Sequence, residues 1–228
     1  MNEKSGASAN SSAAVQIDGG ELSSLSAEIL EQFTESFEVS TPELRAYCFQ
    51  DWQLQMLHAV DAERDPAAIY ATLNLTDGKN AETGKPLMFN IWGASTEKDD
   101  GFDEIIAALA HEIFAEGIDI EVGDVMQSFL ASHRQITPNL PHVAFGAPEE
   151  FEDLNYFFAA DDLYFSFQVI PISDAEEEFL RRTSWMFLRE LFASQGVVIN
   201  DLQRASIDAE FLDAEATRIN LLKRAGKL

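Results

Sequence analysis

Apolar residues spaced three and four positions apart, together with one capping-box pair, predict four helices in this chain. We expect these helices at residues 24–36, 102–116, 173–193 and 207–222. Ser23 or Ser24 can cap the first helix, and Gly117 is placed to end the second. Ser173 and Glu176 form a capping-box pair, in which each side chain can satisfy a free backbone amide at the start of the third helix.

Alternating or short apolar runs predict strands between these helices. We expect strands at residues 52–60, 69–75, 86–92, 143–145, 154–158 and 163–170. The last two are close enough to form a hairpin across Ala160 and Asp161. One-sided alternation favours antiparallel pairing, and strands and helices do not alternate regularly, so the pattern predicts the α+β class. The expected architecture is a mostly antiparallel or mixed sheet packed with helices in one domain.

The domain is expected to cover residues 25–228, because residues 1–24 contain few large apolar side chains and are rich in Ser, Ala, Gly and Asn. We interpret this first segment as a disordered tail. The chain contains one cysteine, Cys48, and no apolar run of about 18 residues, which favours a cytoplasmic protein with no membrane association.

The charge of the chain narrows the classes of partner. Its 40 Asp and Glu residues outnumber 15 Lys and Arg residues, giving a formal net charge of −25 at pH 7. Such a field repels nucleic acids and anionic membranes and attracts basic proteins. We therefore expect a basic protein as partner, and neither a nucleic acid nor a membrane. Composition leaves the oligomeric state open.

Motifs of catalysis and cofactor binding are incomplete. The segment 78–85 has five residues between its glycines, where a phosphate-binding loop has four, and Pro86 follows the lysine, so a hairpin turn is expected there. A zinc-protease motif starting at His111 would need a second histidine, but that position is Ala115. His58 lies on an alternating strand and is expected to be a hydrogen-bonded core or edge residue. We predict no catalytic residue, metal or cofactor, with an Asp/Glu hydrolase as an alternative.

An acidic stretch occupies the middle of the chain, where Arg134 is the only Lys or Arg between Asp99 and Leu180. Aromatic residues are interleaved with its second half, and in strands about half of them should face outward. Candidate surface residues for binding a basic protein are Glu149, Glu150, Glu152, Asp153, Asp161, Asp162, Tyr156 and Tyr164. Two alternatives stay open: the charge only maintains solubility, or the protein is an acidic mimic of nucleic acid.

A set of short motifs follows in order from residue 121 to 206. The apolar strand 165–170 leads into Pro171-Ile172-Ser173 and, with Glu176, into a helix, and an Arg-containing segment follows at 201–206. This order resembles the Suppressor of fused-like domain family, particularly its bacterial stand-alone members. The segment Leu75-Thr76-Asp77-Gly78 also resembles that family, although Lys79-Asn80 follows where Met-Ser is expected.

The resemblance implies an α+β domain that binds protein without catalysis or a cofactor. The animal member of the family sequesters a transcription factor by pairing an extended peptide with a sheet edge. Bacterial members include antidotes that neutralise toxin proteins. The resemblance therefore implies a protein-binding module, and we expect an immunity protein that sequesters a basic toxin or another protein partner.

Overall fold

The computed structural model describes residues 15–18, 21–50, 52–60, 66–97, 101–132, 135–148 and 151–228. Its strands are β1 Val15–Asp18, β2 Glu43–Cys48, β3 Gln53–Val60, β4 Ala68–Thr72, β5 Phe89–Ser95, β6 Val125–Met126, β7 His142–Gly146, β8 Tyr156–Ala159 and β9 Asp162–Ile172. Its helices are α1 Ser24–Ser36, α2 Phe102–Glu116, α3 Asp174–Arg182, α4 Trp185–Gln195 and α5 Ala209–Arg224.

Within the described ranges, the nine strands form one sheet in the order β1-β2-β3-β4-β5-β9-β7-β6, and β8 pairs with β9 outside this path. Each neighbouring pair is antiparallel except β5 and β9, which are parallel. The prediction of an α+β fold with a mostly antiparallel or mixed sheet is confirmed. Strand β9 is central because one of its edges pairs with β5 and the other with both β7 and β8.

Helix α2 covers one face of the sheet. Its buried residues Ile105, Ile106 and Leu109 pack with Phe89 and Ile91 of β5 in a shared core. At Gly93 the helix comes so close that an added Cβ would lie 2.6 Å from the Phe102 ring. The predicted end of this helix at Gly117 is confirmed, since that residue adopts the left-handed conformation with a φ of 60°.

Helices cover the opposite face in two groups. Helix α1 packs through Ile29 and Phe33 against β3, β4, β5 and the β8–β9 hairpin. Helices α3, α4 and α5 pack over β7 and the C-terminal half of β9. The predicted cap of α1 is confirmed, because the Ser23 hydroxyl accepts a hydrogen bond from the Ser26 amide at 3.0 Å. The C-terminal half of β9 therefore contributes to both cores, with Val169 in the core that contains α2 and Ile170 and Ile172 in the core that contains α3, α4 and α5.

The structure differs from the sequence prediction in several segments, among them the short strand β6, which was not predicted. The expected single helix 173–193 is broken at Thr183 and Ser184, where non-helical backbone separates α3 from α4 and lets Trp185 pack onto Gly146. The capping box at its start is confirmed. Strand β2 was not predicted, because its buried and exposed positions do not alternate cleanly. Strand β1 lies inside the segment 1–24 that was expected to be a tail, where its backbone pairs with β2.

Candidate protein-binding surface

The β8–β9 hairpin turns tightly at two residues in the left-handed conformation. Ala160 has a φ of 47° and Asp161 a φ of 67°, and Ala159 pairs with Asp162 on either side. Positive φ at both central residues is typical of the turn that joins two-residue hairpins. The Ala160 amide donates a hydrogen bond of 2.7 Å to the Glu28 carboxylate of α1, which connects the turn to the body of the protein. The predicted hairpin is confirmed.

One face of this hairpin is buried against α1. Phe157 and Tyr164 pair across the strands with ring centroids 6.1 Å apart, and Phe157 contacts the Phe33 ring edge-on at 6.2 Å. Burial raises the pKa of the Tyr164 hydroxyl, and the nearby carboxylates of Asp162 and Glu28 raise it further. This face provides the anchor that holds the hairpin in place.

The other face of the hairpin is apolar and exposed to solvent. Tyr156 is paired with Phe165, and Phe158 with Leu163, so these four side chains lie together on one surface. Their exposed fractions are 62% for Tyr156, 73% for Phe158, 38% for Leu163 and 42% for Phe165. We call these four residues the hairpin platform. Contiguous exposed aromatic residues are typical of protein interaction sites.

The predicted surface residues are only partly brought together by the fold. Asp153, Asp161 and Asp162 are exposed on or next to the hairpin, and Tyr156 belongs to the platform. The position of Tyr164 was predicted wrongly: it is 5% exposed, because strand alternation turns it towards α1. The predicted residues Glu149 and Glu150 lie outside the described residues, as does the side chain of Glu152.

Sequence reasoning missed three members of the platform, namely Phe158, Leu163 and Phe165. The sequence shows aromatic residues on consecutive positions of both strands, so alternation alone leaves two equivalent choices of buried face. The pairing of the two strands would have indicated that Tyr156, Phe158, Leu163 and Phe165 share a face once any one was known to be exposed. The position of α1 behind the hairpin decides which face is buried.

A groove of about 820 Å³ opens beside the platform. Phe165 belongs to both, so the two surfaces are continuous. The remaining apolar lining comes from the segment 86–89, from Ile120 and Val122, and from Phe167. The acidic residues Asp119, Glu121 and Asp162 also line this groove, together with Lys85.

A cluster of titratable side chains lies elsewhere, where β2 and β3 meet the start of α2. The Tyr47 hydroxyl donates to Asp103 at 2.5 Å, Arg45 donates to the same carboxylate at 3.1 Å, and His58 contacts Glu43 at 3.1 Å. Burial and the neighbouring Asp103 raise the pKa of Tyr47, whereas burial and Arg45 lower the pKa of His58. Tyr47 and His58 are at most 3% exposed, whereas the Glu43 side chain is 65% exposed, so the cluster connects the strands to the helix between the core and the surface.

In the part of the chain that the structure describes, no helix is long and apolar enough to cross a lipid bilayer. The described residues also include no group of three or more His, Cys, Asp or Glu residues placed to hold a metal ion.

The fold and the hairpin platform define an α+β protein with an exposed apolar surface next to an acidic groove. The model of the Suppressor of fused protein (SUFU) family matches residues 49–205, which is more than half of the 228 residues. The chain therefore belongs to the Suppressor of fused family, and the resemblance seen in the sequence is confirmed. A curated relative is the Immunity protein YqcF of Bacillus subtilis (strain 168), which is 24% identical over 157 residues, covering 68% of this chain and 81% of the relative.

Solved structures show the same fold at low sequence identity. A crystal structure described as a Suppressor of fused homologue from Neisseria gonorrhoeae FA 1090 aligns with a TM-score of 0.59 and 15% identity, covering 80% of this chain and 96% of that one. Drosophila Suppressor of Fused aligns with a TM-score of 0.61 and 13% identity over 86% of this chain, which spans about half (54%) of the Drosophila chain. A chain from the Sufu–Fu complex aligns with a TM-score of 0.61 and 11% identity, covering 86% of this chain and 96% of that one.

Proposed function

We propose that this protein is a non-catalytic protein-binding module that acts as an immunity protein, masking a basic toxin with its hairpin platform. The observation that carries the proposal is the exposure of Tyr156, Phe158, Leu163 and Phe165 on one face of a hairpin whose other face is fixed against α1. Binding energy at protein interfaces concentrates in a few aromatic and apolar anchors of this kind. A rigid support also lowers the entropy lost when such anchors are ordered.

Charge supports a basic partner. Asp153, Asp161 and Asp162 are exposed on or beside the hairpin, within the stretch 99–180 whose only Lys or Arg is Arg134. A negative electrostatic potential next to an apolar patch speeds association with a positively charged partner. It also disfavours binding of acidic proteins and nucleic acids. The platform would then supply most of the affinity, and the acidic residues would supply association rate and selectivity.

The relatives support the same assignment. YqcF is named an immunity protein, and a structural neighbour is a chain from a complex of Sufu with Fu. An immunity protein that neutralises a toxin inside the producing bacterium would act in the cytoplasm, and a single cysteine fits a reducing compartment. The proposal needs neither a metal nor a cofactor.

The experiment is capture of the partner from the native cell extract, followed by binding measurements with the purified partner. Two variants test the surface: Tyr156→Ser with Phe158→Ser, which removes half of the platform, and Asp153→Lys with Asp162→Lys, which reverses local charge. Matched controls are Leu221→Ser with Leu228→Ser, which are 60% and 61% exposed on and after α5, and Glu31→Lys with Glu35→Lys on α1.

We expect the platform variant to weaken the partner's affinity at least about tenfold, because each lost anchor costs about 1–2 kcal/mol. The charge variant should slow association and reduce its dependence on salt. Both control pairs should stay within about twofold of the unaltered protein. Co-expression with the captured toxin should protect a bacterial host, and the platform variant should not. Equal affinity for all five proteins, or an acidic partner, would contradict the proposal.

A further inference from the structure

The groove beside the platform is bounded by two loops that are fixed to each other. The Ala81 amide donates to the Gly117 carbonyl at 2.9 Å, and the Asn80 amide group donates to Asp119 at 3.4 Å. The first loop is the predicted hairpin turn, closed by the pairing of Lys79 with Pro86. The Asn80 side chain also accepts hydrogen bonds from the backbone of this turn. Because both walls are held by hydrogen bonds, the groove is formed before any partner arrives.

The floor of the groove is apolar. Phe165 and Phe167 of β9 face it on alternate positions, and Phe167 contacts the Phe89 ring edge-on at 5.6 Å. Val122 on the opposite wall is 45% exposed. A groove of about 820 Å³ lies within the range of about 300–1,000 Å³ that is usual for sites binding small molecules or large side chains. It has room for an aromatic side chain and part of the peptide that carries it.

Charged residues at the groove have a net negative sum. Asp119, Glu121 and Asp162 line it and are exposed, against one exposed cation, Lys85. Negatively charged carboxylates around an apolar floor favour binding of an apolar group that is accompanied by a cation. They disfavour binding of an apolar group that carries a carboxylate.

We infer that the groove receives a large apolar side chain, best an aromatic one, from a basic segment of the protein partner. The inference rests on the proposed function and adds the chemistry of the partner's anchor. The platform supports the segment on one side through Phe165, and the groove takes its anchor. Asp119, Glu121 and Asp162 pair with the cations next to that anchor.

The test uses small probes, since the partner's sequence is not needed. Tryptophan amide, a cation, and N-acetyltryptophan, an anion, are titrated separately into the ¹⁵N-labelled protein and followed by amide chemical shifts. We expect tryptophan amide to shift the amides of Met88, Ile120, Val122 and Phe165, and to bind at least about threefold more tightly than the anion. Methylammonium, the cation without a ring, should leave these amides unchanged. Asp119→Asn should lower the affinity of the groove for tryptophan amide, and Lys85→Ala should raise it.

A filled groove separates this inference from the proposed function. Val122→Trp changes an exposed wall residue, so the fold should be kept, and a proton spectrum with unchanged dispersion verifies it. We expect this variant to abolish the chemical-shift changes that tryptophan amide causes in the protein. We also expect it to lower the affinity for the captured partner at least about fivefold. Tyr156→Ser with Phe158→Ser should keep the tryptophan amide shifts.

The possible outcomes are distinguishable. Full partner affinity in Val122→Trp with lost affinity in the platform variant would overturn the groove inference and leave the proposed function standing. Shifts spread over the whole protein, or equal affinity for the two charged probes, would also overturn the inference. If tryptophan amide binds in the groove but neither Val122→Trp nor Tyr156→Ser with Phe158→Ser changes the affinity for the partner, the proposed binding surface is contradicted.

Discussion

A buried ion pair joins the end of β9, the start of α3 and the segment before α5. The Glu176 carboxylate is fully buried and accepts hydrogen bonds from the Arg204 guanidinium at 2.8 and 2.9 Å. It also accepts from the amides of Ser173 at 3.0 Å and Ile207 at 3.1 Å, and Arg204 donates to the Pro171 carbonyl at 2.9 Å. One carboxylate therefore depends on one arginine for its countercharge.

Replacing Arg204 with Met should destabilise the protein strongly. The Glu176 charge would stay buried without a partner, which costs about 3–5 kcal/mol, a large part of the usual 5–15 kcal/mol of a folded protein. Urea unfolding followed by tryptophan fluorescence measures the effect. With a slope of about 2 kcal/mol per molar urea, the midpoint should fall by about 1.5–2.5 M at unchanged slope.

Two controls separate the ion pair from loss of packing. Glu176→Gln combined with Arg204→Met removes both charges and should recover most of the lost stability. Arg181→Met breaks the exposed pair of Arg181 with Glu178 on α3 and should leave the midpoint unchanged. A loss below about 1 kcal/mol in Arg204→Met, or no recovery in the double variant, would refute the reasoning.

Three further predictions test the fold. Gly93→Ala places a Cβ 2.6 Å from the Phe102 ring and should lower the free energy of unfolding by about 1–3 kcal/mol; an unchanged urea midpoint would contradict the packing of α2 on β5. Ala160→Gly relieves a left-handed residue with a φ of 47° and should raise the free energy of unfolding by up to about 1 kcal/mol, whereas a decrease would contradict the turn. Burial lowers the pKa of His58 below 6.5, so the unfolded state binds this proton more readily and stability should decrease as pH falls below 6.5. The difference in unfolding free energy between the unaltered protein and His58→Gln should therefore change between pH 7.5 and pH 5.5, and a constant difference would contradict this account.

Local sequence signals predicted the elements whose boundaries are decided by a few adjacent residues. Gly117 ends α2 through its left-handed conformation, and Ser173 with Glu176 starts α3 by reciprocal capping. His58 was expected to be a hydrogen-bonded core or edge residue, and it is buried against Glu43. These features need no knowledge of distant residues, which is why the sequence indicates them.

Long-range packing explains what the sequence could not indicate. The parallel pairing of β5 with β9 joins segments far apart in the chain, and no local pattern encodes it. The break at Thr183 lets Trp185 pack on Gly146, a contact between elements that the periodicity of either one does not show. The candidate surface depends on which hairpin face α1 covers, so Tyr164 was assigned to the wrong face and Phe158 was missed.

Hydrogen–deuterium exchange of the protein with its purified partner tests most directly whether the β8–β9 hairpin is the binding surface. The account predicts that partner binding slows exchange in residues 156–165 and in the groove loop 118–124, relative to the free protein. Residues 209–224 of α5 serve as the internal reference and should exchange at the same rate in both states. Slower exchange confined to α3, α4 or α5, with residues 156–165 unchanged, would contradict the account.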